Sequence, residues 1–169
     1  MEVINISYYK KDDFEYILGS FHGKLCFLSS INGKNTERIQ SDLQKKLNAE
    51  FTKREDEILI KTKKQLDEYF KGERKSFDIP LLLTGTDFQK KVWETLLEIP
   101  YGKTANYKEQ SQMAGNEKAV RAVANANGAN PIAIIIPCHR VIGSDGSLRG
   151  YAGGTKLKEK LLELESSYE

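Results

Sequence analysis

Residues 106–141 read NYKEQSQMAGNEKAVRAVANANGANPIAIIIPCHRV, and their order decides the fold. Asn106 is a good helix N-cap with Glu109 at the reciprocal capping-box position, and Gly115 suits the stop of the short helix that follows. A second helix is expected over about 117–126. Helix, glycine-containing turn, helix is the outline of a helix-turn-helix unit. In the second helix Val120 and Val123 can face a core, while Ala119, Ala122 and Ala126 leave an outer surface almost free of side chains. Alanine is also the best helix former, so tight packing on another helix explains these residues equally well. The apolar run 132–136 then predicts a buried strand, cut off by Pro137, with Cys138 and His139 at its end. An imidazole beside a thiol can lower the thiol pKa and make it a nucleophile. Adjacent strand residues nevertheless point to opposite faces, and buried structural cysteines are common.

Working outward, the chain has 169 residues, 39% of them apolar and 30% charged, which fits one large domain or two small ones with real cores. Lys and Arg total 26 against 24 Asp and Glu, a formal charge of +2 that advertises no polyanion partner by itself. No apolar run approaches the ~20 residues of a membrane span, and MEVINISYYKKDD lacks a signal-peptide layout, so a soluble, cytoplasmic protein without a membrane partner is expected. Cys26 and Cys138 are expected as reduced thiols. His22 lies four residues before Cys26, but the pair is too small a ligand set for structural zinc, so no metal is expected. No phosphate-cradling loop or dinucleotide fingerprint occurs, and Gly153-Gly154 reads as a tight turn walling a pocket.

Upstream, short strands near residues 3–6, 14–18 and 25–28 predict a small antiparallel meander. The polar stretch 36–57 predicts a helix and then a loop, and apolar residues at helical spacing predict a helix over 55–70 stopped by Gly72. Residues 76–83, with Pro80, read as an extended connector, which sets a domain boundary at 80. Thr86 and Gln89 form a capping box before a helix with the apolar stripe Phe88, Val92, Trp93, Leu96 and Leu97. The expected fold is α+β: a small antiparallel-sheet amino-terminal domain (1–80) followed by a mainly helical domain (81–169) that contains the helix-turn-helix.

PCHRV at 137–141, preceded by the Ile-rich run and followed by YAGG at 151–154, closely resembles the signature of the O6-alkylguanine-DNA alkyltransferases, the methylated-DNA–protein-cysteine methyltransferase family. The resemblance runs from about Thr86 to Glu165 and includes YGKTANYKEQSQMAG and AVRAVANANGANP. Residues 1–80 resemble that family's ribonuclease H-like amino-terminal domain only in size and element order. The resemblance implies that Cys138 attacks the alkyl carbon on guanine O6, that His139 deprotonates it through water, and that Glu165 orients the imidazole. It implies that Asn130 braces the turn before the active-site segment and that Tyr107 donates toward the departing base. Val141 and Ala152, with Tyr151 beside them, would contact the guanine; Ala152 stands where some members have Ser.

The partner so implied is double-stranded DNA containing O6-alkylguanine, bound by a monomer through the minor groove. The target base must leave the stack. A groove only ~6 Å wide requires small residues such as Ala119 and Ala122 at the contact, with Lys118 nearby, and Arg121 would fill the vacated space. Val120 and Asn125 are bulkier than their counterparts in some relatives. Since alkylation of a thiol yields a thioether and no cofactor is implied to remove it, the expected activity is a single-turnover alkyl transfer, with O4-alkylthymine left open as a second substrate. Two rival readings are a lesion-binding protein without chemistry, which Cys138 opposes, and a cysteine hydrolase, for which no oxyanion-hole motif is visible.

Overall fold

A computed structural model describes residues 1–148 and 150–168. The chain divides into two compact units, Met1–Thr84 and Gly85–Glu169.

In the first unit, β1 (Glu2–Lys11), β2 (Phe14–Phe21) and β3 (Lys24–Ser30) form the expected antiparallel meander. Helix α1 (Thr36–Leu47) then crosses to β4 (Ala49–Lys53), which pairs parallel with β1 and gives the sheet order β3-β2-β1-β4. The loop expected after α1 is in fact this edge strand, too short and polar to announce itself. Strand alternation sorts β1 between two layers. Ile4 and Ile6 join Ile39 and Leu43 of α1 in one core. The opposite face meets α2 (Glu57–Phe70): Asn5 donates to Asp56 at 2.8 Å, the Tyr9 hydroxyl donates to Asp67 at 2.7 Å, and the Tyr9 and Phe70 rings stack. The 76–83 connector belongs to this unit, because Leu25 N–H donates to Pro80 and Leu82 N–H donates to the Leu25 carbonyl.

The second unit opens with α3 (Asp87–Leu97), whose capping box is formed as expected between Thr86 and Gln89. Val92, Trp93 and Leu96 are buried, whereas Phe88 and Leu97 lie outside the buried stripe and stay substantially exposed. The two-residue strand β5 (Ala105–Asn106) leads into α4 (Tyr107–Met113), capped reciprocally by Asn106 and Glu109. Gly115 ends that turn at φ +84°, a conformation that favours glycine. Helix α5 (Val120–Gly128) starts later than expected: Asn116 closes the intervening loop by accepting from Lys118 and Ala119, and Ala119 is the N-cap.

Residues 132–136 do not form a strand. Ile136 N–H turns back to the Ile132 carbonyl, Ile135 N–H to that of Ala133, and Ile134 takes φ +69°. Cys138–Arg140 is a 3-10 turn, followed by β6 (Val141–Ile142), which pairs parallel with β5. The last helix is α6 (Thr155–Ser167).

Candidate active site

Asn130, at the exit of α5, holds the segment that carries the thiol. Its carbonyl oxygen accepts from Ile132 N–H at 3.0 Å, while its amide nitrogen donates to the Ile136 carbonyl at 2.7 Å and reaches Cys138 Sγ at 3.3 Å. These bonds occupy backbone groups that a strand ladder would use, so a compact turn replaces the strand. Asn130 thus bonds both to the turn and to the Cys138 thiol.

His139 is fully buried, and its Nε2 lies 2.6 Å from Glu165 Oε2. With the carboxylate accepting, Nε2 carries the proton and Nδ1 presents its lone pair. Nδ1 has no hydrogen-bond partner among the described residues. Glu165, buried on α6, also accepts from Arg140 Nε at 2.7 Å and from its Nη2 at 3.2 Å. Arg140 donates in addition to the Ile99 carbonyl at 2.7 Å. A buried carboxylate needs such partners, because an isolated one would cost far more than it returns. Burial holds the His139 imidazole below its ordinary value of 6.5, against the pull of Glu165 and with help from Arg140 and Lys158. The ring is thus neutral at physiological pH.

Cys138 keeps a partly accessible surface within a densely packed surround. Desolvation pushes its thiol up, while the Asn130 amide and the Lys158 ammonium pull it down. Lys158 was not singled out by sequence reasoning. It is buried on α6, donates to the Val141 carbonyl at 2.5 Å, and lies 5.9 Å from the Tyr151 ring centroid. Burial lowers its pKa, and the Cys138 charge opposes that shift. A signal existed, since Lys158 falls seven residues before Glu165 on a face otherwise formed by Leu157 and Leu161. Arg140 was likewise quoted only as part of a motif.

Tyr107 enters the same cluster because β5–β6 pairing sets Asn106 beside Ile142 and so delivers the next residue near the thiol. Burial raises the Tyr107 pKa first, and the charge of Cys138 adds to it, so the hydroxyl stays a donor. A Cβ added at Gly150, where φ is +89°, would stand 3.5 Å from that hydroxyl. Val141 is buried; Tyr151 and Ala152 are half-buried in the turn before α6. The structure thus gathers Cys138, His139, Glu165, Asn130, Tyr107, Val141 and Tyr151 by contact or by charge.

The remaining residues form a surface of their own. Lys118, Arg121 and Ala122 are exposed; Ala119 is half-buried against Val92, Val123 and Ala126. Ala126 is buried and is not part of the outer surface, because Val123, Ala126 and Asn127 make the inward face of α5. Glu117 accepts from Gln112 at 3.2 Å, and no ion pair joins it to Arg121 among the described residues.

A family model for the DNA-binding domain of 6-O-methylguanine DNA methyltransferase matches residues 87–167, and one for the ribonuclease-like domain of the same enzyme matches 16–83. The methylated-DNA–protein-cysteine methyltransferase of Methanosarcina acetivorans is 56% identical over 112 residues, covering 66% of this chain and 72% of that protein. The constitutive enzyme of that name from Bacillus subtilis is 51% identical over 108 residues, covering 63% of this chain and 66% of the other, just under two thirds. The crystal structure of Mycobacterium tuberculosis OGT in complex with DNA aligns with a TM-score of 0.81 at 39% identity, over 98% of this chain and 94% of that one.

Proposed function

The chain belongs to the methylated-DNA–protein-cysteine methyltransferase family, and from that premise we propose that it repairs DNA by moving the alkyl group of O6-alkylguanine onto Cys138. The observation that carries this reading is a single cluster in which Asn130 reaches the thiol and Glu165 fixes the imidazole next to it. The proton leaves Sγ through a water molecule and arrives on Nδ1 of His139, whose opposite nitrogen already donates to Glu165. The thiolate forms a bond to the alkyl carbon as that carbon's bond to O6 breaks, and the electron pair stays with guanine. Tyr107 donates a hydrogen bond to the departing base, and Val141, Tyr151 and Ala152 line its seat. Asn130 and Lys158 stabilise the sulfur charge during the approach.

Double-stranded DNA is bound by a monomer, in the cytoplasm, through the minor groove. Helix α5 supplies the contact: Ala119 and Ala122 admit it to the narrow groove, Lys118 meets phosphate, and Arg121 takes the place of the extruded nucleotide. No helix among the described residues is long and apolar enough to cross a membrane. The product on sulfur is a thioether, a bond that no step of this reaction breaks, so each chain acts once. The test is stoichiometry. With excess duplex bearing radiolabelled O6-methylguanine, label on protein should plateau at one methyl per chain; continued release of methanol or of label into solution would overturn the reading in favour of hydrolysis.

A further inference from the structure

Helices α4 and α5 are joined by a buried pair of amides. Gln110 Nε2 donates to Asn127 Oδ1 at 2.8 Å, and Asn127 Nδ2 donates back to Gln110 Oε1 at 2.7 Å. Gln110 is wholly buried and Asn127 is 8% exposed. The Gln110 amide also reaches Thr95 Oγ1 on α3 at 3.2 Å, and in the same turn of α5 the Trp93 indole donates to the Ala126 carbonyl at 2.8 Å.

The place of this pair matters more than its strength. Gln110 lies three residues after Tyr107 on α4, and Asn127 lies three residues before Asn130. Both helix ends that deliver groups to the thiol therefore meet at the pair, while the exposed Arg121 occupies the opposite end of α5. Val92, Val123 and Ala126 already supply an apolar contact between α3 and α5. Such a contact tolerates small slides, whereas two reciprocal amide bonds are satisfied in one register only. A one-residue shift moves Asn127 about 1.5 Å along the axis and about 100° around it, and would leave two buried amides unpaired.

We propose that the Gln110–Asn127 pair is a positioning device that fixes the register of α5 against α4, and so governs transfer from duplex DNA more strongly than transfer from a free base. The proposal rests on the repair function inferred above. A free base needs the pocket alone; a base in duplex must be extruded by α5 and arrive at the thiol in one motion.

The experiment compares transfer rate constants for an O6-methylguanine duplex and for free O6-benzylguanine, with thermal midpoints as the folding control. The Gln110→Leu/Asn127→Leu variant replaces both amides with apolar groups of similar volume and leaves no orphan donor. Its free-base rate should fall no more than a few-fold, through Tyr107 and Asn130, while its duplex rate should fall about tenfold or more beyond that, within the cost of an ångström-sized misplacement. The transposed variant Gln110→Asn/Asn127→Gln keeps two amides in altered reach and should give an intermediate ratio. Equal losses on both substrates, or an unchanged ratio in the folded variant, would overturn the proposal. If the leucine variant does not fold, the transposed variant decides: a wild-type ratio there also overturns it. Wild-type protein inactive on both substrates would defeat the repair function itself, and the register proposal with it.

Discussion

At the residue scale, the proposed reaction asks for a nucleophile from a thiol whose own burial discourages ionisation. Asn130 and Lys158 offset that cost in part, and in the proposed reaction His139 takes the proton. Replacing Lys158 with Met keeps much of the side-chain stem but removes the charge, so the Cys138 pKa should rise. Each unit of rise slows thiolate alkylation about tenfold at a fixed pH below it. Iodoacetamide modification of Cys138 followed against pH would measure the shift, and an unmoved profile would show that Lys158 serves only the Val141 carbonyl. Because His139 is held below 6.5, alkyl transfer should stay level through neutrality and decline only below that value. The same depression has a stability counterpart. Between the folded value and 6.5 the unfolded chain binds more protons, so this contribution is complete above 6.5 and lost as pH falls toward the folded value. Thermal midpoints measured from neutral to mildly acidic pH should decline accordingly. Cys138 and His139 were legible in the sequence through the PCHRV signature, since their adjacency alone left a buried structural cysteine equally open. Lys158 showed only as a lysine on the apolar face of α6, and Arg140 not at all, since a buried cation is recognised by its partners, and those partners lie on other elements.

At the scale of elements, the instructive departure is the turn at 132–136. A run of isoleucines favours a strand on propensity alone, yet the Asn130 side chain takes the N–H of Ile132 and the carbonyl of Ile136. Ile134 then sits at φ +69°, a costly conformation for a β-branched residue, which persists only where the surroundings enforce it. Asn130→Ala should therefore release the turn, destabilise the protein by roughly 2 kcal/mol or more through unpaired buried backbone groups, and abolish transfer. Chemical denaturation and a transfer assay would check both; full activity with a loss of stability would reduce Asn130 to a structural brace. The capping boxes of α3 and α4 were legible because they are local. Strand β4 and the inward turn of Ala126 depend on partners distant in sequence, so neither could be read from its own residues. Arg121 belongs to this scale as well. Arg121→Ala should slow transfer from duplex, where unstacking costs a few kcal/mol, far more than transfer from free O6-benzylguanine. Arg121→Lys should recover part of the loss, because an ammonium cannot stack as a guanidinium does. Equal losses on the two substrates would leave Arg121 a surface residue.

At the scale of the molecule, every residue given a chemical role lies in the unit Gly85–Glu169, and the sheet of Met1–Thr84 carries none of them. Across residues 103–128 the excess of cations over carboxylates is only two, so DNA affinity should fall with salt along a shallow slope of about one released counterion per phosphate contact. The two cysteines offer an internal control for the central claim. Cys26 is wholly buried in β3, its thiol reaches the Gly19 carbonyl at 3.5 Å, and burial pushes its pKa up to about 12. It should be inert toward alkyl donors, whereas Cys138 is partly accessible and has His139 beside it. The most direct test is peptide mapping by mass spectrometry after incubation with O6-methylguanine duplex. We expect one added methyl group per chain, on the peptide containing Cys138, with the Cys26 peptide unmodified; methyl on Cys26, or on neither cysteine, would contradict the account.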